Sequence, residues 1–255
     1  VMRPAVLPNL LAAAKRNADR GYPDTGLFEV GPAFRDDTPT GQDAVAAGVR
    51  HGNSGPRHWR DAPNGSNVYD AKADALAVLA AVGAPVDNLQ ISADAPTWYH
   101  PGRSGTLRLG KAVLAYFGEV HPKVLRRLDD RGPAAAFEVF LDQVPQPKQK
   151  GGKARPSLKI SAFQPVHRDF AFVVDASVSA DQILRAARGA DKALVSDAGV
   201  FDVYEGDSVG EGRKSVAIWL TLQPTERTMT DEEIDAVAAS VVANVEKQTG
   251  GTLRG

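Results

Sequence analysis

Beyond residue 160 the apolar positions recur every second residue. Phe170, Phe172 and Val174 fall on one face of an extended segment, and Asp169, Ala171 and Val173 fall on the other. That period predicts a strand over 168–174, entered through Pro165. It is followed by a helix over 179–188, strands over 200–205 and 214–222, a long helix over 230–249 and a terminal stub over 252–255. The long helix carries its own punctuation. Thr230 and Glu233 stand at capping-box spacing, Asp231 and Glu232 suit the first turn, Ile234, Val237, Val241 and Val245 form a stripe, and Gly250 ends it.

The order of these elements is β-α-β-β-α-β, the split pattern of ferredoxin-like folds. The first half is patterned differently. A helix is predicted over 7–20, with Pro8 in its first turn and Gly21 beyond its end. Strands follow over 27–34 and 44–50, separated by the turn-rich 35–41, and an Ala-rich helix over 69–82 ends at Gly83. A short strand over 88–92 precedes the stretch 98–110, whose first half reads as a turn and second half as a strand. A strand from 113 ends at Gly118, a short helix has Pro122 in its first turn, and a last strand covers 134–141. Strands arranged as hairpins with helices around them predict an antiparallel sheet and an α+β class. Between the halves, 143–156 holds three prolines and four cations without apolar periodicity, as an exposed linker would. The expected organisation is a sheet module over 1–142, a basic linker over 143–160 and a ferredoxin-like domain over 161–255.

Composition removes several function classes. There is no cysteine, so disulfides, thiolate catalysis and cysteine-held zinc are excluded, which suits the cytoplasm. No apolar run approaches the ~20 residues needed to span a bilayer, so no membrane role is expected. The opening Val-Met-Arg-Pro lacks a signal-peptide core and reads as the start of a fragment. The net charge of −1 hides an asymmetry: residues 161–255 hold nine basic and fifteen acidic side chains. A nucleic acid bound there must be read through bases or local shape, not through a broad basic surface.

Several motifs then point one way. Phe163-Gln-Pro-Val-His-Arg-Asp-Phe170, Phe201-Asp-Val-Tyr204, Lys214-Ser215 and Thr228-Met-Thr-Asp-Glu-Glu233 occur in order on the predicted elements. Upstream stand Arg3-Pro-Ala-Val-Leu-Pro8, Leu27-Phe-Glu-Val-Gly-Pro-Ala-Phe-Arg35, Tyr99-His-Pro-Gly-Arg-Ser104 and Gly118-Glu-Val-His-Pro122. Together they resemble the C-terminal portion of the bacterial phenylalanine–tRNA ligase beta-subunit family: a class II synthetase-like module followed by a ferredoxin-fold anticodon-binding domain. The resemblance implies an alpha subunit and the tRNA(Phe) anticodon as partners, an alpha2-beta2 heterotetramer, and ATP and magnesium used by the whole complex. It also implies that the upstream domains of that subunit, including the editing region, are absent from this chain. Arg35 is followed by Asp36-Asp37, without the Arg-x-Glu of working class II enzymes, and no Gly-rich third motif occurs. A fold without chemistry of its own, with no catalytic residue, metal or cofactor bound by the fragment, is the expectation. A free-standing ferredoxin-like interaction or ligand-sensing protein is the alternative.

Alternation across the second sheet places the expected RNA contacts. With Phe201 and Val203 turned to the helices, Asp202 and Tyr204 face the open side. With Val216, Ile218, Leu220 and Leu222 inward, Ser215, Ala217, Trp219 and Thr221 face outward, joined by Ala171 and by Arg254 of the terminal stub. Tyr204 would stack a base, Asp202 would accept from a guanine edge, and Arg254 would take a phosphate or base oxygen. Trp98 and Tyr99 are the candidate anchors toward the alpha subunit. His51 and His58 read as loop polarity and not as a metal pair, because no third ligand stands at a useful spacing. His100, His121 and Ser104 read as structural, in the absence of a nucleophile elbow.

Overall fold

The computed structural model describes residues 2–55, 58–60, 62–145 and 160–254. The chain falls into two compact units, Val1–Lys153 and Ala154–Gly255. The expected linker therefore lies largely outside the described residues. Val144, at its start, is buried in the first unit's core, so that unit runs past residue 142.

In the first unit the elements are α1 (Leu7–Asp19), β1 (Thr25–Phe34), β2 (Gln42–His51), α2 (Val68–Ala81), β3 (Gln90–Ser92), β4 (Tyr99–Leu109), β5 (Ala112–Val120), α3 (Pro122–Arg127) and β6 (Ala134–Phe140). The strands form one sheet in the order β1-β2-β6-β5-β4-β3, and every pair is antiparallel. α1 lays Leu7, Leu10, Leu11 and Ala14 on one face, over Val45, Ala47 and Val49. α2 lays Ala71, Ala75 and Leu79 on the other, over Ala115, Phe117 and Val139. A central strand covered on both faces has no polar side to show, which is why β6 reads Ala-Ala-Ala-Phe-Glu-Val-Phe without alternation. α2 begins on a capping box: Asn67 Oδ1 accepts from the Tyr69 amide at 2.8 Å, and Asp70 Oδ2 accepts from the Asn67 amide at 2.9 Å.

Two local expectations are corrected. The segment from residue 98 is not a turn in its first half: Tyr99 already pairs with Val120, and the irregularity is a bulge between Tyr99 and Ser104. β5 does not stop at Gly118 but continues to Val120. Gly118 has φ +156°, and a Cβ there would lie 2.4 Å from Ser104 Cβ and 2.8 Å from the Arg103 carbonyl. Only glycine allows β4 to pass this close.

His51 is the other correction. It is not loop polarity but the last residue of β2, 3% exposed. Its Nδ1 lies 2.7 Å from the Pro23 carbonyl, and its Nε2 lies 2.9 and 3.0 Å from the two Asp130 oxygens. Both ring nitrogens face acceptors, a setting that favours the doubly protonated imidazolium. Burial pushes its pKa down, but the Pro23 carbonyl and the Asp130 carboxylate outweigh that and hold it above the ordinary histidine value. The pair ties the chain before β1, the end of β2 and the α3–β6 connection together.

In the second unit the elements are β7 (Val166–Asp175), α4 (Ala180–Arg188), β8 (Val195–Tyr204), β9 (Arg213–Leu222), α5 (Asp231–Thr249) and β10 (Thr252–Leu253). The sheet order is β10-β7-β9-β8, all antiparallel, with the β-α-β-β-α-β chain order of a ferredoxin-like fold. Both helices pack on one face. Phe172, Val174, Val216, Ile218 and Leu220 meet Ile183 and Ala187 of α4 and Val237, Val241 and Val245 of α5. Both begin on capping boxes, Ser179 with Gln182 and Thr230 with Glu233, and Gly250 ends α5 at φ +67°. Among the described residues of this unit, no helix packs on the opposite face of the sheet. Among the described residues no helix is long and apolar enough to cross a membrane.

Candidate nucleic-acid interface on the second sheet

In an antiparallel sheet, residues paired across strands share a face, so the register alone sorts the helix-free side into rows. From one end they read Val173–Ser215–Tyr204, Ala171–Ala217–Asp202, Asp169–Trp219–Gly199 and His167–Thr221–Asp197. Thr252 of β10 pairs with Val173, and the Arg254 amide donates to the Ala171 carbonyl at 2.7 Å, which sets the Arg254 backbone beside the second row. Arg213, paired with Asp175, lies beyond the Tyr204 row. His167 Nδ1 stands 3.2 Å from Thr221 Oγ1, as neighbours in one row should.

Asp202 and Tyr204 face the open side, but for a reason that simple alternation misses. β8 begins five residues earlier than expected, and Ala198 and Val200 pair with the inward Leu220 and Ile218. Strict alternation from Val200 would turn Asp202 and Tyr204 toward the helices. A bulge at Phe201 adds one unpaired residue, so Asp202 pairs with Ala217 and Tyr204 with Ser215. Phe201 is accordingly 57% exposed and does not fill the helix-covered core.

The environment of each expected contact is now specific. Arg254 carries its guanidinium carbon 5.6 Å from the Tyr204 ring centre, within cation–π range. The Tyr204 hydroxyl lies over Gly206, where a Cβ would come within 2.4 Å of it. Ser215 and Ala217 are only 4% and 9% exposed, so they form a small-residue floor and offer a partner little direct contact. The side chain of Asp202 has no hydrogen bond or ion pair to another described residue, which leaves both oxygens free to accept. Trp219 leans across β8 onto Gly199: a Cβ there would lie 2.6–2.8 Å from its Cζ2, Cε2 and Nε1.

In the first unit the two proposed subunit anchors separate. Tyr99 is 1% exposed and belongs to the core, so it is unavailable to a partner. Trp98 is 40% exposed and lines an apolar cavity of ≈ 450 Å³ with Pro4, Leu7, Leu11, Val124 and Leu128. Its Nε1 and the Tyr99 hydroxyl both donate to Glu138 Oε2, at 3.1 and 3.2 Å. Burial raises the Glu138 pKa, against the opposing pull of these two donors. A raised carboxylate value means the folded state favours the proton. Stability is then highest below the ordinary glutamate value and falls as pH rises through the folded-state value. Glu138→Gln keeps an acceptor for both donors and removes the buried charge. It is expected to raise the melting temperature at pH 8 by about 2–4 °C, the shift about 1 kcal/mol gives, and by less at pH 5. A lower melting temperature at pH 8 would show that the charge itself holds Trp98 and Tyr99.

The strand-end arginine of the 27–35 motif is also accounted for. Arg35 Nε lies 2.7 Å from Asp43 Oδ2 in the same hairpin, and Asp36 Oδ1 accepts from the Thr38 amide and hydroxyl at 2.9 and 2.6 Å. The loop is closed on itself. His121 Nδ1 accepts from the Lys123 amide at the start of α3, and the Ser104 hydroxyl donates to the His100 carbonyl, both local structural bonds. Among the described residues no group of three or more His, Asp or Glu could hold a metal ion.

A six-stranded antiparallel sheet followed by a four-stranded ferredoxin-like sheet defines a two-module α+β protein. Residues 1–141 match the family described as the phenylalanyl tRNA synthetase beta chain CLM domain, and residues 161–254 match the ferredoxin-fold anticodon binding domain. The chain belongs to the phenylalanyl-tRNA synthetase beta chain family. It is 57% identical over its whole length to the phenylalanine–tRNA ligase beta subunit of Paramagnetospirillum magneticum, and 58% identical over 99% of its length to that of Rhodospirillum rubrum. It spans about a third, 32%, of the length of each. A solved pyrrolysyl-tRNA synthetase from Desulfitobacterium hafniense is similar over 55% of this chain and 47% of its own, at 16% identity and a TM-score of 0.41.

Proposed function

We propose that this chain is the tRNA-binding and alpha-subunit-supporting part of phenylalanine–tRNA ligase, the cytoplasmic enzyme that attaches phenylalanine to its tRNA with ATP and magnesium as an alpha2-beta2 heterotetramer. The first unit performs no chemistry and supports the alpha subunit, with Trp98 as the exposed anchor. The second unit reads the tRNA(Phe) anticodon. The observation that carries this reading is the convergence of Tyr204, Asp202 and Arg254 on the face of the second sheet opposite α4 and α5. An aromatic ring, an unpaired carboxylate and a cation over a floor of Ala171, Ser215 and Ala217 offer a splayed base a stacking surface, an acceptor and a phosphate partner.

Arg35 pairs with Asp43, and among the described residues no group of three or more His, Asp or Glu could hold a metal ion. No step of the mechanism is assigned to ATP or magnesium on this chain. What its residues supply is orientation of the tRNA, by holding the anticodon end.

Tyr204→Ala is expected to cost about 1–3 kcal/mol of tRNA binding through lost stacking. Asp202→Asn is expected to relax discrimination at one anticodon base without unfolding the domain. Both are measured in the beta subunit assembled with its alpha subunit, against tRNA(Phe) and anticodon-swapped transcripts. If neither variant changes affinity or base preference, the open face is not the reader.

A further inference from the structure

We infer that the same sheet face holds a second base subsite, built on Trp219 and Asp169, that accepts a base bearing an exocyclic amine and disfavours uracil. This rests on the anticodon-reading role of the face.

Trp219 and Tyr204 cannot serve one base. Ser215, the partner of Tyr204, is four residues from Trp219 along β9, a separation of about 13 Å, whereas stacked bases are about 3.4 Å apart. An aromatic that far from Tyr204 on the same uncovered face is a separate platform. Its posture depends on Gly199, since any side chain there would meet the indole edge within 3 Å and lift it off the sheet. The indole is half-buried, and its Nε1–H donates to no described residue.

The charges around this ring specify what it meets. Asp169 pairs with Trp219 directly across β7–β9, is exposed, and has no hydrogen bond or ion pair from its carboxylate among the described residues. Asp197, 62% exposed and 3.6 Å from Arg188, lies in the next row. The arginines of this face, Arg254 and Arg213, stand toward the opposite end. Phosphate is therefore favoured at the Tyr204 end, where the arginines of this face stand, and a base edge is favoured against Trp219, where Asp169 has no cation partner among the described residues. Carboxylates in the row of Trp219 and the row next to it accept hydrogen bonds. The exocyclic amines of adenine, cytosine and guanine supply donors, whereas the one donor of a splayed uracil, its N3–H, is flanked by two carbonyl oxygens that a carboxylate repels.

The test uses the alpha–beta enzyme with tRNA(Phe) transcripts in which each anticodon base is replaced in turn by uridine. Trp219→Ala is expected to weaken tRNA binding about tenfold, with Trp219→Phe recovering most of the loss and Gly199→Ala reproducing part of it. Asp169→Ala, at an exposed position that does not threaten folding, is expected to abolish the uridine penalty at one anticodon position, different from the one relaxed by Asp202→Asn. If Asp169→Ala relaxes the same position as Asp202→Asn, there is one subsite and the inference falls. It falls equally if Trp219→Ala and Asp169→Ala change nothing while Tyr204→Ala weakens binding, and the anticodon-reading role then stands. Inertness of all of these variants would remove that role as well.

Discussion

Asp130→Ala is expected to cost the first unit about 3–5 kcal/mol, the range for breaking a buried ion pair by removing one partner. The side chains of His51 and Asp130 are 3% and 4% exposed, so a ring left charged has no water to turn to, and a ring that deprotonates keeps its Nδ1 hydrogen for the Pro23 carbonyl but leaves Nε2 as a buried acceptor without a donor. The loss extends beyond the pair, because Asp130 Oδ1 also accepts from the Gly132 amide at 3.0 Å and fixes the turn into β6. The pH dependence has a definite sign. Since the folded-state histidine value is raised, the stability from this pair is fully present below the ordinary value of about 6.5 and is lost as pH rises through the folded-state value. Urea unfolding of the chain and of His51→Ala at pH 6 and pH 9 checks it. The gap between the two proteins should be wider at pH 6, and a gap independent of pH would mean that the ring is neutral in the folded protein.

The second large effect is expected at Gly118. Gly118→Ala places a methyl group where Ser104 and the Arg103 carbonyl already stand, and it does so at a positive φ that side chains resist. The obstruction is strand backbone, not the end of a flexible side chain, so β4 and β5 must separate at their bulge. A cost of about 2–4 kcal/mol follows from adding overpacking to backbone strain. Gly110→Ala is the control: it also has positive φ, +60°, but nothing lies within 4 Å of the new methyl group. If the two substitutions destabilise equally, the close approach of β4 contributes nothing and only the backbone conformation matters.

Much of the fold was legible because its signals are local. Helix starts were readable where a side chain satisfies orphan amides within three residues, as Thr230 and Glu233 do. The strand period was readable in β7 and β9, where one face meets two helices and the other meets none. It failed in β8, an edge strand with one neighbour, which can absorb extra residues at Ser196 and Phe201 without breaking a second ladder. The open face of Asp202 and Tyr204 was assigned to the right side from a parity that the bulge had in fact reset. The same limit hid Asp169. Its exposure was evident from alternation, but its place opposite Trp219 depends on register between strands some fifty residues apart.

The element order, the two-module organisation, the Thr230 cap of the long helix and the family are legible along the chain, because each is written in neighbouring residues or in motifs kept in order. Only the tertiary structure decided which polar residues are interior. His51, Asp130 and Glu138 resemble surface residues until the partners that satisfy them are brought in from up to 79 positions away. Tyr99 and Trp98 are adjacent in the chain and both reach Glu138, yet Tyr99, the first residue of β4, is core and Trp98, just before the strand, is 40% exposed. Burial is a property of what packs on a residue from elsewhere in the chain, and no window of sequence contains it.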